Sequence, residues 1–182
     1  MVVYNFRVTI DFEKDVVRDI AIRSDQSFLE LNDVIISSFE FKGDQMCSFF
    51  MSNEDWDKGE EIVLFDMGHE ENSLSTRIME NTLLNDMIKK SDEKILYVYD
   101  FLRMWVFSIE LLSKGEVNDK GSYPHVINSI GDAPDETDKS LEFDMPVDFL
   151  DEDDEEMDPE LRDLLGDFDD ESDYIDPDEL YI

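Results

Sequence analysis

Two histidines, one cysteine and 49 acidic side chains bound the chemistry open to this 182-residue chain. His69 falls in an irregular stretch and His125 follows Pro124; neither is spaced from Cys47 or from the other as zinc ligands are, so no metal site is expected. Cys47 opens the apolar run Cys47–Met51, the setting of a buried, inert thiol, and nothing in the spacing supports a Cys-His nucleophile pair. Neither a GxGxxG nor a GxxxxGK[ST] phosphate loop occurs, and no cofactor is expected. Asp167-x-Asp169-x-Glu171 resembles the start of a calcium loop. Ser172 stands where the sixth-position glycine belongs, however, and Asp178 where the bidentate glutamate belongs, which leaves only weak attraction of divalent cations. Asp100 with Glu110 or Asp66 could supply an acid and a base, but carboxylates are so abundant here that no pair stands out.

One group of residues invites a sharper expectation. Arg18 shares strand parity with Val16, Ile20 and Ile22, and Asp100 interrupts the apolar strand containing Leu96 and Val98. A buried charge is costly unless paired, so one reading gives each a partner, which could be the other; the alternative is a bulge or edge position that leaves both in water. With Tyr99, Arg103 and Trp105 close by in sequence, these residues form the candidate partner-binding groove.

The elements that must position them follow from periodicity. Val2, Tyr4, Phe6, Val8 and Ile10 alternate with Val3, Asn5, Arg7, Thr9 and Asp11, a strand with one buried face. A second strand over Val16–Ile22 completes a hairpin through Glu13-Lys14-Asp15. Phe28, Leu31, Ile35 and Phe39 have helical spacing, and Ser27 with Glu30 has that of a capping box, so a helix is predicted over 28–39. Cys47–Met51 and Glu61–Phe65 read as short strands, and Leu83–Lys90 as a short helix with lysines at its negative end. Lys94–Phe101 and Met104–Leu112 read as central strands covered on both sides. The order ββα, ββ, α, ββ predicts an α+β fold: a mostly antiparallel sheet with two or three helices.

Charge divides the chain. Residues 1–131 hold 25 acidic and 13 basic side chains, a net −12, whereas 132–182 hold 24 and 2, a net −22. The run Asp151-Glu152-Asp153-Asp154-Glu155-Glu156 repels itself, and 132–182 is expected to be largely disordered or transiently helical. Within it Leu161, Leu164, Leu165 and Phe168 lie on one face at helical spacing after Asp158-Pro159, a good N-cap and first-turn pair. Together with Phe149 they are candidate anchors on a partner. A net −34 argues against direct nucleic-acid binding and against anionic membrane surfaces. No stretch approaches the length of a membrane span, the first residues lack the pattern of a signal peptide, and one cysteine cannot form an internal disulfide. The expectation is a soluble, cytoplasmic protein.

The opening Tyr4-x-Phe6-x-Val8-x-Ile10, the Arg18-Asp19-Ile20 strand and the Phe28-to-Phe39 helix recur in a known order. After them come Tyr97-Val98-Tyr99-Asp100-Phe101 with Trp105, then Tyr123-Pro124 and Gly131-Asp132-Ala133-Pro134. Together these resemble the Ri-plasmid (pRiA4b) Orf3-like family, which includes an insertion-element passenger protein labelled TnpR. The resemblance spans about residues 2–136 and leaves the acidic stretch outside. It implies a compact α+β domain carried on plasmids, mobile elements and chromosomes, without an assigned reaction. The family pattern commonly follows Tyr-Asp-Phe with Gly-Asp, then Trp and a His two residues later; here Leu102, Arg103, Trp105 and Phe107 stand at those positions. A second His-bearing stretch reads Gln45-Met46-Cys47-Ser48-Phe49. If relatives use those residues for a metal or proton transfer, the resemblance implies that this chain lacks that chemistry; if the fold serves recognition, the losses matter less. Recombination, which the TnpR label suggests, needs clustered arginines around a scissile phosphate. The six arginines stand singly at 7, 18, 23, 77, 103 and 162.

The leading expectation is a bacterial accessory or interaction protein whose acidic tail engages a basic protein partner. The alternative is a mimic of the DNA backbone or mobile-element accessory factor, and a carboxylate-based enzyme ranks below both.

Overall fold

The computed structural model describes residues 2–65, 77–89, 93–117 and 121–139. Eight strands form one sheet in the order β5-β4-β3-β6-β7-β1-β2-β8. They are β1 (Val2–Ile10), β2 (Val17–Arg23), β3 (Cys47–Ser52), β4 (Lys58–Val63), β5 (Arg77–Ile78), β6 (Lys94–Tyr99), β7 (Trp105–Glu116) and β8 (His125–Ile130). Every pairing is antiparallel except the short β4·β5 contact. Among the described residues two α-helices, α1 (Phe28–Ser38) and α2 (Leu84–Met87), and a 3-10 turn at Met79–Asn81 complete the expected antiparallel-rich α+β domain.

The β6–β7 hairpin lies between the early hairpins, β6 beside β3 and β7 beside β1. The core gathers on the face bearing Tyr4, Phe6, Val8, Ile10, Ile20, Ile22, Phe49, Tyr97, Trp105, Phe107 and Ile109, packed with Phe28, Leu31 and Ile35 of α1. The compact unit spans Met1–Phe143, and every member of this core lies within it. The opposite face is more polar: Arg7 Nε and Nη2 donate to the Asp19 carboxylate at 2.8 and 3.0 Å, and Asn128 Nδ2 donates to it at 3.2 Å. Arg7, the first of these donors, holds the Asp19 carboxyl below its usual range.

Helix α1 begins where the sequence places it. Ser27 Oγ accepts from Glu30 N, and Ser27 N donates to the Glu30 carboxylate at 2.8 Å, so both halves of the capping box form. Strand β1 alternates as expected, and the second strand starts one residue late. Other elements depart from expectation. The strand expected at 61–65 lies at Lys58–Val63, and the helix expected over 83–90 is the four-residue α2. Lys89 Nζ nevertheless donates to Asn85 O at 3.1 Å, a cation on a carbonyl of that turn. Two-sided burial holds for Tyr97–Tyr99 of β6, but β7 alternates buried with half-exposed residues and so has one buried face. β5 and β8 were not expected, and His125 opens β8 instead of lying in a loop.

Ser27→Ala is expected to cost about 1 kcal/mol through loss of the cap. Urea unfolding should show this as a lower midpoint with an unchanged slope.

Candidate functional site

Arg18 and Asp100 are both buried, so the water-exposed alternative does not hold. Nor do they pair with each other. Arg18 sends Nε to Ser38 O at 2.9 Å, and Nη1 to Val17 O, Ile130 O and Gly131 O at 2.9 to 3.1 Å. Its guanidinium lies over the Phe39 ring, 5.0 Å from the centroid. Ser38 is the last residue of α1, which has no basic side chain in its own last turn. Arg18 thus places a cation at the negative end of that helix from a neighbouring strand.

Asp100 works locally. Its Oδ1 accepts from Leu102 N and Arg103 N at 3.0 and 3.2 Å, and its Oδ2 from Arg103 Nη1 at 3.2 Å. Asp100 and Met104 both have positive φ, 54° and 51°, and Met104 N closes onto Asp100 O at 2.6 Å. The carboxylate therefore caps the β6–β7 turn, where Asp tolerates the left-handed conformation better than most residues. Glu110 is exposed on β7 opposite Lys94, five register pairs from the Tyr99↔Trp105 pair next to that turn, or about 17 Å at strand rise. Asp100 and Glu110 therefore do not form an acid–base pair, and Asp66 lies outside the described residues.

Tyr99, Trp105 and Phe41 form the floor of the candidate site, with Phe41 centred 5.4 Å from each of the other two rings. The segment Gly131–Lys139 lies across this floor. Glu136 Oε1 accepts from Tyr99 O–H at 2.9 Å and Lys42 N–H at 2.7 Å, and Glu136 O accepts from Trp105 Nε1 at 3.1 Å. Gly43 N donates to the Tyr99 hydroxyl at 3.0 Å. Lys139 sits over Trp105 at 5.0 Å and donates to Met104 O at 2.9 Å. Packing thus continues past Gly131. That residue has φ 73°, and a Cβ there would lie 2.5 Å from Asp15 O, so glycine is required where the chain leaves β8. Hollows of ≈ 240 and ≈ 290 Å³ flank the segment, one beside Glu40 and Lys42, the other beside Phe12 and Lys14.

The expected groove residues therefore divide in two. Tyr99 and Trp105 converge under Glu136, while Asp100 and Arg103 build the adjoining turn. Arg18 joins them through Phe39, whose ring lies 6.4 Å from Phe41, and through Gly131 O, where the overlying segment begins. Sequence reasoning missed Lys42, Glu136 and Lys139. The aromatic Phe39-x-Phe41 pair was the available signal for Lys42, and none marked Glu136. Cys47 is buried, its Sγ donating to Asn32 Oδ1 at 3.3 Å beside Tyr97 O–H at 2.6 Å, and burial pushes the thiol up, away from the thiolate. His125 Nδ1 lies 2.8 Å from Ser122 O, and His69 is outside the described residues. Among the described residues, no three His, Cys, Asp or Glu gather as metal ligands, and no helix is long and apolar enough to cross a membrane. The anchors Phe149, Leu161, Leu164, Leu165 and Phe168, and the calcium-like Asp167–Glu171 stretch, lie outside the described residues.

The sequence matches the family model described as plasmid pRiA4b ORF-3-like protein over residues 2–179. That match carries the family past the expected 2–136 and through most of the acidic segment. No curated protein matches. Among solved structures, a protein of unknown function, MM3350, from Methanosarcina mazei Go1 is similar. The alignment covers 100% of this chain and 98% of that one at 19% identity, with a TM-score of 0.65, and so shows a shared fold.

Burial first, then the Glu136 carboxylate, raises the Tyr99 hydroxyl above the ordinary 10.0, and burial raises Tyr97 well above it too. The folded state holds these protons more tightly than the unfolded state, so their stabilisation is fully present below pH 10 and is lost as pH rises above it. Unfolding free energy should accordingly decline above about pH 10. Ultraviolet titration at 295 nm should show Tyr97 and Tyr99 ionising only as the protein unfolds, and Glu136→Gln should let Tyr99 ionise earlier.

Proposed function

Taking as premise that the chain belongs to the plasmid pRiA4b ORF-3-like family, we propose that it is a cytoplasmic accessory protein acting by binding a basic protein partner. The observation that carries this reading is where the charge lies. Residues 140–182 hold 20 acidic side chains and one basic, a net −19, against −15 over the first 139 residues. Such a density attracts a basic partner over about a Debye length, near 8 Å at physiological salt, and speeds encounter more than it tightens the final contact. Phe149, Leu161, Leu164, Leu165 and Phe168 then supply the apolar anchors that pure charge lacks.

The geometry of the head favours recognition over reaction. Asp100 caps a turn, Cys47 is a buried thiol, and the Tyr99 hydroxyl is held between Gly43 and Glu136. Cys47 and Tyr99 are both held protonated, the thiol by burial and the phenol by burial and Glu136, so neither is an activated nucleophile.

Partners captured from source-cell lysate on the full chain and on a chain ending at Phe143 should differ. A basic protein is expected on the full chain alone, released between 50 and 500 mM salt (on the order of one decade, enough to screen exposed charges). Capture by the shorter chain that is indifferent to salt would overturn the proposal. Ending at Phe143 keeps the Glu136 and Lys139 contacts, which a cut at Gly131 would remove.

A further inference from the structure

The two edges of the sheet are unlike. β5 ends one side with two residues, Arg77–Ile78, and carries a charge. β8 ends the other with six, His125–Ile130, and among the described residues it pairs only with β2. Every residue of β8 is exposed, including Val126 (36%), Ile127 (54%) and Ile130 (48%). Exposed edge strands ordinarily carry a lysine, a proline or an inward charge that discourages pairing. In a chain that is 35% charged, the stretch Gly121–Gly131 has no charged residue, and Pro124 precedes β8 without entering it. A register shift opposite Asp19 and Ile20 leaves the exposed Ile127 as the extra residue of a bulge.

β8 is also held firmly. Arg18 fixes Ile130 O and Gly131 O, Asn128 reaches Asp19, and Gln26 Nε2 donates to Tyr123 O at 3.1 Å just before the strand. A rigid edge loses little freedom when another strand joins it.

Charge selects the occupant. A second copy would bring another −34 against the first, whereas the exposed Asp15 and Asp132 at the Gly131 end suit a cationic strand. Resting on the basic-partner reading above, we propose that β8 is the docking edge for an extended basic segment of the partner, which pairs with it as a ninth strand. Backbone N–H and C=O groups supply the ladder. Aliphatic side chains at alternate positions meet the apolar residue of one face of β8, Val126 on the side of Ile20 or Ile130 on the side of Val17, and lysines or arginines between them meet Asp15 and Asp132.

The test uses a fluorescent, end-capped nine-residue peptide of alternating lysine and valine. A control peptide carries two consecutive N-methylated residues at its centre, which removes donors from both strand edges at equal charge. The unmodified peptide should bind the full chain on the order of tenfold tighter than the control, the scale of a few strand hydrogen bonds. Hydrogen exchange should slow at residues 125–130 when it binds. Ile127→Asp should weaken that binding although it adds a negative charge that would strengthen mere attraction. Equal binding of the two peptides would overturn the proposal. So would unprotected β8 amides in the complex, or β8 protection through self-association in sedimentation without peptide. Failure of the basic-partner reading is read separately: ending the chain at Phe143 would then weaken neither peptide, whereas failure of strand docking removes the difference between the peptides.

Discussion

Nine aromatic rings form one connected set beneath and beyond α1, running from Phe28 through Phe49, Tyr97, Phe107 and Phe39 to Phe41, which meets both Tyr99 and Trp105, and Trp105 in turn meets Phe12. Touching centroids are 4.5 to 6.4 Å apart, mostly tilted or edge to face, the arrangements a ring quadrupole favours. Eight of the nine are buried, and burying such a ring contributes about 1.5 to 3 kcal/mol. The series draws on α1, the stretch after it, β3, β6 and β7, so it fixes where the inserted β6–β7 hairpin must sit. It also explains the Gly131–Lys139 segment. Tyr99 and Trp105 carry polar atoms at their rims, and a buried phenol or indole needs a partner. Glu136 gives both of them one, from a single residue.

The same economy of partners governs the buried charges. A guanidinium with no carboxylate is costly to bury unless its donors are satisfied, and Arg18 meets that condition with four backbone carbonyls and an aromatic face. Those carbonyls belong to β2, the end of α1, and the exit from β8, three places that no other side chain joins in this way among the described residues. Arg18 is therefore a joint between elements. Asp100 is satisfied within five residues and fixes one turn.

What the sequence disclosed depended on whether the determining contact leaves a local pattern. β1 alternates because one face packs and the other is wet, and the Ser27–Glu30 box is a contact between residues three apart; both were legible. β8 was not, since a strand exposed on both faces has no reason to alternate. In β7 apolar residues such as Val106 and Leu112 occupy the outer face, so composition suggested two covered sides where burial shows one. Arg18 and Asp100 were rightly singled out as charges needing partners, but backbone carbonyls have no signature in a sequence, and pairing the two with each other was the wrong inference. Tyr99 and Trp105 were found through their position beside Asp100. Glu136 was hidden among many acids, because its role depends on an acceptor 31 and 37 residues distant from its donors.

The placement of charge follows from the same limits. A net charge far from zero opposes compaction, because like charges are brought within a Debye length of one another. Over residues 1–139 the excess is −15, and several acids there are tied to nearby bases, Asp19 to Arg7, Asp25 to Arg23 and Asp100 to Arg103. The 20 acids of residues 140–182 have only Arg162 among them. Distributed over the sheet, those charges would stand without counter-ions of their own beside a face already occupied by ion pairs. They would also strip β8 of its neutrality. Keeping them in a separate stretch of the sequence leaves Gly121–Gly131, and with it the β8 edge, free of charged residues.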